Sequence, residues 1–209
     1  MKRRLIGLKL VLKPSKCRKC AKLVEGSAEH SFCCKKIGRN TVHNKVNVAA
    51  SIELSRILKN SSCTVAREQS CQTYLKEHNQ VERPRSDNTI TDHLAGKVVH
   101  MDFTFPSIDE TATEFEPTSD KAEARKELFW DNKFLLPEGI SLFPGAIDSY
   151  SRWGKKLIEW ANIFSRIGAL TPWDYPKRLY QLKATIATAH ANAIGNQTAD
   201  FLMNDLVSL

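Results

Sequence analysis

The run KVVHMDFTF, residues 97–105, constrains the fold more than any other part of the chain. Its side chains alternate, so a strand period of two sets Val99, Met101, Phe103 and Phe105 on one face and Val98, His100, Asp102 and Thr104 on the other. The β-rich NTIT, residues 88–91, lies just upstream, and the intervening DHLAG is turn-forming, which predicts a hairpin. A carboxylate at the centre of such a strand has two readings. Asp102 is either on the solvated face of an edge strand or placed there for chemistry.

The flanking pattern sets the fold class. Val46, Ala50, Leu54, Ile57 and Leu58 recur at helical spacing and predict a helix over about 42–58. CTVAREQ (63–69) reads as a short strand and KEHNQVERPRSD (76–87) as a polar loop. DKAEARKELFWDNKFL (120–135) favours a helix with Asp120 as its N-cap. GISLFPGAI (139–147) reads as a strand ended by its Pro and Gly. Trp153, Leu157, Trp160 and Phe164 line one helical face, and a last helix after Pro176 carries Leu179, Leu182, Ile186, Ala189 and Ala193. This order predicts an α/β fold with a central sheet flanked by helices.

Charge narrows the partners. The chain has 209 residues, enough for one core or a core plus a small module, and a net charge of +8 that calls for an anionic partner. Thirteen Lys or Arg stand against two Glu between Met1 and Lys45, whereas residues 102–120 are acidic. No apolar run approaches the roughly 18 residues of a membrane span, so no membrane role is expected. MKRRLIGLKLVLK is interrupted by Lys9 and lacks a small-residue cleavage site, so the reading is an intracellular protein, nuclear if eukaryotic. In that setting the six cysteines are metal ligands or reduced thiols.

Four of them fall in CRKCAKLVEGSAEHSFCC, residues 17–34. A tight CxxC supplies two thiolates from one turn, and a later His/Cys pair closes a tetrahedral Zn²⁺ site. Cys17, Cys20 and His30 take one position each, while Cys33 and Cys34 compete for the fourth. Lys16, Arg18, Lys19, Lys22, Lys35, Lys36 and Arg39 crowd this cluster, as suits a zinc knuckle resting on a DNA or RNA backbone. Cys63 and Cys71 read as plain thiols.

Asp87 precedes the first hairpin strand, and pairing would bring it to Asp102. Two carboxylates a few ångströms apart suit Mg²⁺, which keeps waters and holds a phosphate. Lys121 or Lys126 from the following helix could orient the water or stabilise charge on the phosphate. Glu68 reads as a solvated strand end and His100 as a polar neighbour of Asp102. His43 has a helix-start packing role or a place at the active site.

The order CxxC, HxxxC, a His-Asn pair opening a helix, RPRSD, a hairpin and the alternating MDFTF resembles the C-terminal region of non-LTR retrotransposon reverse transcriptases that carry a restriction-enzyme-like endonuclease. The resemblance runs from about Cys17 to Trp153, and ISLFPGAIDSYSRWG is similar to that family's later strand and Gly-rich turn. It implies a CCHC zinc knuckle followed by a PD-(D/E)xK nuclease core. It also implies Cys17, Cys20, His30 and Cys34 as zinc ligands, with Cys34 taken over Cys33 by the family spacing. His43 and Asn44 match the family's His-Asn pair on the DNA-binding side, with Val42 where arginine is expected. Asp87 and Asp102 match the Mg²⁺ ligands, although Arg85 and Ser86 separate Asp87 from Pro84. Lys126 and Lys121 both remain candidates for the catalytic lysine, and Phe129 replaces the usual nearby tyrosine. The implied organisation is a basic lead and knuckle over 1–40, a nuclease core over 41–165 and a helical extension over 166–209. With no polymerase signature, the chain reads as a remnant open reading frame encoding a DNA endonuclease. The alternative is a zinc-containing nucleic-acid-binding module whose catalytic centre has decayed.

Overall fold

The computed structural model of the chain describes residues 15–24, 40–71, 73–75, 81–106, 117–149, 151–201 and 206–208. Its centre is a four-stranded mixed sheet in the order β3 (Cys63–Arg67), β6 (Asn88–Asp92), β7 (Lys97–Thr104), β9 (Ile140–Ala146). β6 and β7 form the expected hairpin, with Ile90 opposite Val99 and Asp92 opposite Lys97. Asp92 closes its turn by accepting the Leu94 and Ala95 N–H groups at 3.0 and 3.2 Å, and Gly96 takes a φ of +62° that a side chain would resist.

β7 lies inside the sheet, between β6 and β9. Asp102 is therefore not on an edge strand. β9 runs parallel to β7 and does not end at Pro144, which pairs with Asp102, while Gly145 pairs with Phe103. As the outermost strand, β9 has one row of N–H groups without a strand partner, so a proline that lacks one is tolerated there. A Cβ on Gly145 would come 2.9 Å from Met101 Sδ, so any larger residue there needs that side chain to shift.

The alternation of β7 divides the sheet. Met101 and Phe103 are buried against α1 (Asn40–Ile57), α3 (Lys155–Ile167) and α4 (Asp174–Asp200), in a cluster with Val46, Leu54, Trp160, Leu182 and Ile186. The α4 residues thus share one core with α1 and the sheet. Arg178 of α4 fixes the end of α1 by donating from Nη1 to the Ile57 carbonyl at 2.7 Å. α2 (Thr118–Lys133) starts two residues before Asp120, with Pro117 as its N-cap residue. The Asp120 carboxylate instead accepts the Lys155 N–H at 2.9 Å, at the start of α3.

Two smaller sheets complete the architecture. β4 (Thr73–Leu75) pairs with β5 (Val81–Glu82) and β8 (Phe134–Leu135), so the segment expected to be loop contains a short strand. β1 (Ser15–Cys17) pairs with β2 (Leu23–Val24) and β10 (Leu206–Ser208).

Candidate active site

The register of β6 and β7 builds the site. Asn88 pairs with Met101, and Asp87, just before β6, donates its N–H to the Met101 carbonyl at 2.9 Å. The Asp87 side chain reaches β7 at Phe103, the residue after Asp102, near enough for its charge to act on the Asp102 carboxyl. Asp87 is buried and Asp102 half-buried.

Each acid has a basic partner from a different helix. Asp102 Oδ1 is 2.6 Å from Lys126 Nζ, and Asp87 Oδ1 is 2.8 Å from His43 Nε2. The Phe103 backbone ties the two halves together. Its N–H donates to Asp87 Oδ2 at 2.5 Å, and its carbonyl accepts from Lys126 Nζ at 3.4 Å. Burial raises the Asp102 carboxyl above the usual range; the Lys126 and His43 charges oppose that rise and the Asp87 charge adds to it. The hydrogen bond to Asp87 raises His43, against desolvation. Phe105 meets the His43 ring edge-on at 6.1 Å and stacks on His190 at 5.5 Å, which fixes the imidazole from the side.

Behind the acids sits a network that sequence reading missed. Ser86 Oγ lies 2.8 Å from His100 Nδ1 and 2.9 Å from Thr89 Oγ1, and donates to the Gln69 carbonyl at 3.2 Å. Desolvation lowers the His100 pKa, and the ring ties the two strands together through Ser86 and Thr89. Ser86, which separates Pro84 from Asp87, thereby anchors the strand that carries the first acid.

Lys126, not Lys121, reaches Asp102; the five-residue step between them turns the helix by roughly 140°, onto a different face. Asn44 is exposed, with Oδ1 3.4 Å from His43 Nδ1. Glu68 is exposed at a φ of +52°, and it meets Asp87 through its N–H, which donates to the Asp87 carbonyl at 3.1 Å. Cys17 and Cys20 flank one tight turn between β1 and β2, closed by the Ala21 N–H on the Cys17 carbonyl at 2.8 Å and by a φ of +60° at Ala21. Lys16, Arg18, Lys19 and Lys22 are exposed around that turn. His30, Cys33, Cys34, Lys35, Lys36 and Arg39 lie outside the described residues. Among the described residues, no three His, Cys, Asp or Glu gather at metal-ligating distance. Cys63 and Cys71 are buried, and burial pushes the Cys71 thiol up to about 11.

Asp87 and Asp102 supply the kind of oxygen donor that a hard divalent cation takes, and each is already paired with a basic side chain, His43 or Lys126. No helix among the described residues is long and apolar enough to cross a membrane. In comparison with known proteins, no protein-family model matches the chain and no curated sequence is similar to it.

Proposed function

We propose that the chain is a metal-dependent DNA endonuclease module of the non-LTR retrotransposon type. In this reading residues 41–165 form a restriction-endonuclease-like core, the zinc knuckle lies within 1–40, and 166–209 extend the core. The observation that carries it is the Asp87 carboxylate held on the Phe103 N–H, next to Asp102 in β7, with Lys126 on Asp102 at 2.6 Å.

Asp87 and Asp102 would hold Mg²⁺. A bound Mg²⁺ lowers the pKa of a coordinated water and offsets charge on the scissile phosphate. The chain's own residues do the rest. Lys126, beside Asp102, would place an ammonium next to the phosphate as it gains charge. The Phe103 N–H fixes the orientation of the Asp87 carboxylate. His43 and the basic knuckle residues Lys16, Arg18, Lys19 and Lys22 position the DNA backbone through charge. Cys17 and Cys20, set on one turn, are suited to the first half of a structural Zn²⁺ site that His30 and Cys34 would complete.

The rival reading, a binding module with a decayed centre, draws on Asp87, both of whose carboxylate oxygens are engaged by protein groups. Nicking of supercoiled plasmid in Mg²⁺, run beside a salt titration of DNA binding, separates the two. Cleavage supports the nuclease, and salt-sensitive binding without cleavage supports the rival.

A further inference from the structure

A basic, aromatic corner lies where the end of α1 meets the α3–α4 connection. Arg178 holds the Ile57 carbonyl there, and a Cβ on Gly168 would come 2.4 Å from Ile57 Cγ2, so the connection rests directly on α1. Around this junction Trp173 is 89% and Tyr180 73% exposed. Trp173 immediately precedes α4, and Lys177 and Tyr180 follow it by four and seven residues, so the three share one helical stripe. The other side of α4 is committed to the core through Leu182, Ile186 and Ala193.

Single exposed aromatics are ordinary, but here two flank a cation in a locally basic stretch. Between residues 161 and 199 Arg166, Lys177, Arg178 and Lys183 stand against Asp174 alone. That acid is engaged by its own turn, with Oδ2 accepting the Thr171 N–H and hydroxyl at 3.2 and 3.1 Å. Lys59, exposed just past α1, adds a further cation at the junction. The two rings are separated by about 10 Å of helix axis. Unpaired bases have π-faces that stack on such rings, and their phosphates are met by the cations between; a duplex hides those faces.

We propose that this corner binds a single-stranded stretch of nucleic acid, with bases stacked on Trp173 and Tyr180 and phosphates on Lys177 and Lys59. The proposal rests on the nucleic-acid reading above, though not on cleavage. The test is fluorescence anisotropy of labelled oligo(dT) and oligo(U), each of about 16 nucleotides, and of a duplex, titrated with the full chain. Wild type should bind at least one single-stranded probe. The Trp173→Ala/Tyr180→Ala variant should bind it roughly tenfold or more weakly, whereas Trp173→Phe/Tyr180→Phe should keep most of the affinity, because phenyl rings still stack. Duplex binding and plasmid nicking should be unchanged in both variants. Wild-type affinity in the double-alanine variant would overturn the proposal. Binding of the duplex alone by wild type would also overturn it while sparing the nuclease reading. Absence of affinity for all three probes would overturn both and leave the corner as a protein contact.

Discussion

Lys126 Nζ sits 2.6 Å from Asp102 Oδ1, joining the middle of α2 to the central strand β7. Of the two lysines that the sequence left open, Lys126 is the one that pairs with Asp102. Lys126→Ala should lower the plasmid-nicking rate about 10²–10³-fold, the usual loss when one charge-stabilising donor is removed. Lys121→Ala should stay within a few-fold of wild type. Equal losses in the two variants, measured by single-turnover nicking, would remove the special role of Lys126.

The hairpin and its acids were legible because a strand period of two exposes itself in nine consecutive residues, and register then follows from the turn. Non-local partners were not. His43 reaches Asp87, and Asp120 and Glu123 reach the start of α3, through packing that no local pattern encodes. Pro144 misled because its meaning depends on β9 being an edge strand, which only the sheet order reveals. The choice of Lys126 over Lys121 likewise depends on which face α2 turns toward β7.

Glu123 holds the start of α3. Its Oε1 accepts the Ala146 and Leu157 N–H groups, both at 3.0 Å, and Oε2 accepts the Lys156 N–H at 2.8 Å. Glu123→Ala leaves these donors without a partner and should cost about 2–4 kcal/mol in urea unfolding, from roughly 1–3 kcal/mol per buried orphan with partial relaxation. Burial pushes the Glu123 carboxyl up to about 7, above its unfolded value. A raised folded pKa gives stability that is complete below the unfolded pKa and is lost as pH rises through the folded one. Wild type should therefore lose more stability than Glu123→Gln between pH 5 and pH 8, and parallel pH profiles would contradict the assignment.

Glycine substitutions should split by sign. A Cβ on Gly154 would lie 2.2 Å from Glu123 Cδ, and one on Gly168 would lie 2.6 Å from the Ile57 carbonyl oxygen. Each Gly→Ala change should destabilise by about 1–3 kcal/mol through overpacking. Gly195 lies in α4 with nothing within 4 Å of the added carbon, so Gly195→Ala should stabilise by about 1 kcal/mol. Thermal unfolding of the three variants checks the order.

Zinc analysis should find about one Zn²⁺ per chain, the stoichiometry of a single four-ligand structural site. Cys17→Ser, Cys20→Ser and Cys34→Ser should each lower zinc content and weaken DNA binding, because metal binding supplies folding energy to a loop poor in apolar residues. Cys33→Ser and Cys71→Ser should leave zinc content unchanged. A damaging Cys33→Ser with a silent Cys34→Ser would overturn the ligand assignment.

The most direct measurement of the central claim is Mg²⁺-dependent nicking of supercoiled plasmid by wild type and Asp102→Ala, prepared identically and matched for folding by circular dichroism. Wild type should convert supercoiled plasmid to open circles in Mg²⁺ and not in EDTA, and Asp102→Ala should bind the plasmid but leave it supercoiled. Nicking at the same rate by both proteins, or no nicking by wild type at any Mg²⁺ concentration, would contradict it.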